Sequence, residues 1–140
     1  MNSKCVTNLM MHNIYSAPPP PIPECMASEV YDTSVVLQWR SPPHCGGRTD
    51  CYYQIRINDG PALQYNPTRF TFNAQVTYAV NNLQQDTTYS ITVSIHNGVS
   101  DQDANNAKLR ECPVVVTTIQ GSMFDQCTPC KNSIHMHACI

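Results

Sequence analysis

Along the middle of the chain, apolar and polar residues alternate with a period of two. Val35, Leu37 and Trp39 fall on one side and Val36, Gln38 and Arg40 on the other, the pattern of a strand with one face buried. Ser41-Pro42-Pro43-His44-Cys45-Gly46-Gly47 ends it, because proline cannot continue a hydrogen-bonded ladder and glycine frees the backbone. Residues 51–58 repeat the alternation, with Tyr53, Ile55 and Ile57 opposite Tyr52, Gln54 and Arg56. Asn58-Asp59-Gly60 then predicts a hairpin, since a two-residue primed turn needs positive φ. A short strand over residues 63–65 follows, closed by Asn66-Pro67. The clearest strand sets Tyr89, Ile91, Val93 and Ile95 against Ser90, Thr92, Ser94 and His96, and Asn97-Gly98 breaks it. His96 falls on its outer face and is expected to be solvated. Weaker signals predict strands at Met26, Ser28 and Val30, at residues 70–72, at Val76, Tyr78 and Val80, and over residues 114–119. No segment shows a helical period, and residues 99–110 read as a polar, mobile loop.

About seven short strands separated by turn signals predict an all-β domain of two packed sheets, with a barrel or jelly roll still open on spacing alone. Leu83 and Tyr89 flank the polar turn Gln84-Gln85-Asp86-Thr87, and Tyr89 opens the strongest strand. That placement suits a tyrosine corner, in which the phenol bonds to backbone at the bend between two strands. An antibody-type domain would carry sheet-bridging cysteines at Ile91 and in the strand of Val35 to Trp39, and this chain has neither. The two layers are therefore expected to be held by apolar contacts beneath Trp39, with no sulfur bridge crossing between them.

Composition narrows the setting. The chain has 140 residues, enough for one domain, and only 13% are Asp, Glu, Lys or Arg. The net charge is −2 and the cations are scattered, so nucleic-acid binding lacks an electrostatic footprint. Eight cysteines point to disulfides and an extracellular setting. Asn8-Leu9-Met10-Met11-His12-Asn13 interrupts the apolar run of about 7–15 residues that a signal peptide needs, and no stretch is long enough to span a membrane. For an extracellular domain this leads us to expect a fragment. Asn66-Pro67-Thr68 has the ends of a glycosylation signal, but its central proline blocks it.

Thr33-Ser34-Val35-Val36-Leu37-Gln38-Trp39, the strand with Tyr53-Gln54-Ile55, and Leu83 through Tyr89 together resemble the fibronectin type III family, over residues 22–120. The resemblance implies a seven-stranded immunoglobulin-like sandwich of three-stranded and four-stranded sheets, a module found mostly in receptors, adhesion molecules and matrix proteins. Ser16-Ala17-Pro18, Pro42-Pro43, Gly46-Gly47-Arg48-Thr49-Asp50 and Asn97-Gly98-Val99-Ser100 are further similar to the first such repeat of Eph receptor tyrosine kinases. The chain departs from that pattern at Ile57-Asn58-Asp59-Gly60, where Eph repeats carry a paired-cysteine segment, and it holds no kinase or ligand-binding domain. On this reading residues 1–21 are an irregular proline-rich lead-in, with Pro18-Pro19-Pro20-Pro21 as a stiff connector, or else a ligand for an aromatic groove. Residues 22–120 are the domain and residues 121–140 a Cys/His-containing tail.

The resemblance places Cys25, Cys45, Cys51 and Cys112 near one pole and implies the pairs Cys45–Cys51 and Cys25–Cys112, with swapped pairings open. Trp39, Leu83 and Tyr89 take structural roles, and Arg48, a planar fork of donors in a pole loop, is the candidate partner contact or else bonds within its loop. In the tail, Cys127, Cys130, His135, His137 and Cys139 are ligands that zinc accepts, but their spacing is too short for a standard finger. A disulfide, the start of a truncated cysteine-rich module, or a disordered end competes with metal. No cofactor is expected. His44 beside Cys45 is adjacency without a positioned base, so no catalytic site is expected either. The expected function is an extracellular protein-interaction or spacer module of a receptor or adhesion protein, with protein partners and neither nucleic acid nor small-molecule substrate. A matrix module without signalling role, or an intracellular domain with a metal-binding tail, is the alternative.

Overall fold

The computed structural model describes residues 16–121. The alternating segments become β1 (Cys25–Val30), β2 (Val35–Arg40), β3 (Tyr52–Ile57), β4 (Leu63–Tyr65), β5 (Gln75–Val80), β6 (Thr88–His96) and β7 (Glu111–Thr117). They pair antiparallel into a three-stranded sheet ordered β1-β2-β5 and a four-stranded sheet ordered β4-β3-β6-β7. This is the three-plus-four sandwich that the resemblance implies. The inward residues of both sheets form one core that includes Val35, Leu37, Trp39, Tyr53, Ile55, Ile91, Val93 and Ile95. Period-two burial follows from the pleat, which sends successive side chains to opposite faces. Register is therefore set by which face is greasy, and a one-residue slip would put Leu37 and Trp39 in water.

The β3–β4 hairpin turns at Asn58 and Asp59, with φ of 49° and 56°, and the Gly60 N–H donates to the Ile57 carbonyl at 2.9 Å. Both positive-φ positions are thus taken by Asn and Asp, residues whose short polar side chains tolerate that region. Two segments differ from the pattern reading. Residues 70–72 form no strand: the Thr71 carbonyl accepts from the Ser41 hydroxyl, and Phe70 leaves the chain to stack on Tyr53 at 5.5 Å. Residues 99–110 are not a bare loop but two 3-10 segments, Ser100–Gln102 and Ala104–Arg110. Short-range backbone bonds and side-chain bonds from Asn97 and Arg110 support them, and neither kind needs an amphipathic period that would announce the segments. The last strand begins at Glu111, ahead of the run of valines, and takes in Pro113; β7 is an edge strand, where a missing donor is tolerated.

Two buried tyrosines make a controlled pair. The Tyr89 hydroxyl accepts the Gln84 N–H at 2.8 Å, closing the bend between β5 and β6 with Leu83 buried beside it. The Tyr53 hydroxyl, near Trp39 and Ser41, meets neither at hydrogen-bonding geometry, and burial pushes its pKa up to about 12. Tyr89→Phe should therefore cost about 1 kcal/mol, because it strands a backbone donor, whereas Tyr53→Phe should be close to neutral or stabilising. Urea midpoints of the two variants against the parent decide it; equal losses would show that the corner bond contributes nothing of its own.

Candidate functional site

One pole gathers the start of β1, the β2–β3 connection, the end of β6 and the 3-10 segments. The structure joins Cys45 to Cys51 across the β2–β3 connection, with Cα atoms 5.9 Å apart, and Cys25 to Cys112, with Cα atoms 6.1 Å apart. The second bond corrects one sequence expectation. Cys25 opens β1 in the three-stranded sheet and Cys112 lies in β7 of the other, so a sulfur bridge does cross between the layers. It crosses at stacked edge strands, away from the antibody position, where Leu37 and Ile91 remain apolar and buried.

Beside Cys45 lies a junction centred on Asn97, which is 0% exposed. Its Nδ2 donates to the carbonyls of Ala17 at 2.7 Å and Cys45 at 3.1 Å. Its Oδ1 accepts the N–H groups of Val99 and Ser100, both at 3.0 Å. The Ala17 N–H donates in turn to the Gly46 carbonyl at 3.0 Å. One buried amide, using donors and acceptor together, thus ties the N-terminal segment, the disulfide-closed loop and the first 3-10 segment.

Arg48 reaches back to its own loop. Its Nε and Nη2 each donate to an oxygen of Asp50 at 2.7 Å, and Asp50 also accepts the Gly98 N–H at 3.1 Å. The Arg48 hydrogen bonds hold the Asp50 carboxyl down at about 2. Next to it the Tyr52 hydroxyl donates to Asp101 at 2.7 Å, and the Tyr52 ring stacks on His96 at 5.5 Å. His96 bridges Asp101, 3.5 Å from Nδ1, and the Ser94 hydroxyl, 2.8 Å from Nε2. Only 12% of its side chain is exposed, which corrects the expectation of a solvated histidine. It lies on the outer face of the sheet, as its register requires, but Tyr52 and the 3-10 segment cover that face.

Burial lowers the His96 pKa below 6.5; Arg110 and Arg56 add to this, and Asp101 opposes it. The sign of the pH effect follows. As pH falls through 6.5 the unfolded imidazole takes up a proton that the folded one refuses, so stability declines from there down to the folded pKa and then levels off. We expect the His96 ring resonances to titrate with a midpoint below 6.5, and His96→Gln to flatten the urea midpoint between neutral and mildly acidic pH. A midpoint above 6.5 would mean that Asp101 outweighs burial.

Of the residues singled out from sequence, Trp39, Leu83 and Tyr89 lie in the core, and the four domain cysteines and Arg48 lie at the pole. Asn97, Tyr52, Asp101 and the buried Arg110 were missed. Asn97 had a signal: an Asn three residues before a Ser is the pattern of a side-chain-capped turn. Arg110, whose Nη2 donates to the Ser100 carbonyl at 3.4 Å and the Asp103 carbonyl at 3.3 Å, had none. Cys127, Cys130, His135, His137 and Cys139 lie outside the described residues. Among the described residues no group of three or more His, Cys, Asp or Glu side chains is placed to hold a metal ion, and no helix is long and apolar enough to cross a membrane. A cleft of about 630 Å³ beside the Cys25–Cys112 bond mixes Glu24, Met26, Gln38, Arg40 and Gln75.

The family model described as the fibronectin type III domain matches residues 18–109. Ephrin type-A receptor 4-B of Xenopus laevis is 31% identical over 115 residues, covering 74% of this chain and 11% of the receptor. Ephrin type-B receptor 3 of Xenopus laevis is 34% identical over 92 residues, covering 58% of this chain and 9% of the receptor. The chain thus spans about a tenth of the length of these curated relatives. Among solved structures, the fibronectin type-III domain of human fibronectin type III domain containing protein 3 is 18% identical, with a TM-score of 0.47, over 84% of this chain and 96% of that one.

Proposed function

The chain belongs to the fibronectin type III family, and from that premise we propose that it is a non-catalytic extracellular module of a receptor-type protein, spacing or contacting other protein domains. The observation that carries this reading is its pair of disulfide bonds at one pole, which persist in an oxidising compartment and not in the cytosol. The identity with ephrin receptors supports a receptor over a matrix setting. The contact face is the same pole, where rigid strands present polar side chains on pinned loops. Arg48 is its candidate contact: Asp50 engages two of its nitrogens and fixes the direction of the guanidinium, which stays partly exposed.

Thiol accounting tests the reading. In protein purified without reductant, maleimide should leave Cys25, Cys45, Cys51 and Cys112 unlabelled until a reductant is added. Free thiols at Cys45 and Cys51 would favour an intracellular domain instead. For the contact face, Arg48→Ala should leave the unfolding midpoint nearly unchanged, since the Arg48–Asp50 pair is solvent-exposed. Crosslinking between this pole and other domains of the parent protein should then weaken with Arg48→Ala, while crosslinks elsewhere persist.

A further inference from the structure

We infer that residues 16–22 are a docked strap, locked by Asn97, which fixes the direction in which the chain approaches the sandwich. As a device for holding a spacer at a set angle this rests on the receptor-module reading; as a structural lock it does not.

The strap has an anchor at each end. At one, Ala17 is held twice, its carbonyl by Asn97 Nδ2 at 2.7 Å and its N–H by the Gly46 carbonyl at 3.0 Å. At the other, Ile22 is buried in the core. Between them run Pro18, Pro19, Pro20 and Pro21, with Pro19 buried. Each proline has a fixed φ, so the segment between two anchors has little freedom left to lose on docking. A flexible linker of equal length would give up far more entropy for the same bonds.

The receiving surface is built for this contact. A Cβ on Gly46 would lie 1.9 Å from the Ala17 carbonyl oxygen and 3.0 Å from that of Pro18, and φ of +63° independently favours glycine there. Cys45–Cys51 closes the loop that carries Gly46, and the same Asn97 amide that holds Ala17 also holds the Cys45 carbonyl. The prolines therefore lie along their own domain, which bears directly on whether they are offered to an outside groove.

Nuclear magnetic resonance on the full oxidised chain tests this without any variant. The heteronuclear NOE of the Ala17 amide should equal that of β6 amides, and Cα–Hα residual dipolar couplings of Pro18 to Pro21 should fit the alignment tensor of the sandwich. Averaged couplings and a low NOE at Ala17 would overturn the strap, whatever the thiol accounting shows. Asn97→Asp sharpens the assignment. It keeps Oδ1 for Val99 and Ser100 but turns a carboxylate oxygen toward the carbonyls of Ala17 and Cys45. Exchange of the Ala17 amide should then rise at least about tenfold, while Leu37 and Ile55 stay protected. Unchanged exchange at Ala17 in folded Asn97→Asp would remove Asn97 from the lock.

Discussion

Trp39→Ala lowers the stability of the module by about 3–5 kcal/mol, the range for deleting a fully buried large aromatic. Trp39 is 2% exposed and sits at the centre of an aromatic group that spans both sheets. Tyr53 meets it edge to face at 5.0 Å and Tyr65 at 6.4 Å, while Tyr65 in turn packs on Tyr78 of the opposite sheet at 5.0 Å. The strands cannot move together to fill the gap, because β2 is the central strand of its sheet and is ladder-bonded on both sides. Truncation therefore leaves a cavity whose walls lose their partners. Urea denaturation followed by circular dichroism, which needs no indole, measures the loss. A cost under about 1 kcal/mol would mean that the sandwich is not held together at this residue.

Replacing Cys25 and Cys112 together by Ser costs more than replacing Cys45 and Cys51. The bonds span sequence separations of 87 and 6. Loop-closure entropy gives about 4–5 kcal/mol for the first and about 2 kcal/mol for the second. The larger figure also has a structural counterpart, since Cys25–Cys112 ties the edge of one sheet to the edge of the other. The two double variants, compared by urea midpoint under non-reducing conditions, should rank in that order. The reverse ranking would show that the short loop, through Asn97 and the strap, matters more to the fold than the bond between layers.

The strands were legible because burial on one face writes a period of two directly into the residues. Val35 to Arg40, Tyr52 to Ile57 and Tyr89 to His96 could be assigned to faces before any contact was known. The hairpin at Asn58-Asp59 was legible for a different reason, because few residues accept positive φ. The pole was less so. His96 alternates as an outward residue and is one, yet Tyr52 and a 3-10 segment that carries no period of its own cover it. Asn97 read as a strand breaker, and it is one. What it does after the break depends on Ala17 and Cys45, which lie 80 and 52 positions away.

Local alternation and turn chemistry alone settled the all-β class and the positions and inward faces of β2, β3 and β6, since these depend on neighbours within a few residues. Only the three-dimensional arrangement decided that sulfur joins the two layers at their edges, that a histidine on the outer face is covered, and that a proline run lies against its own domain. Those outcomes hinge on which distant segments meet at the pole, and no short-range pattern carries that information.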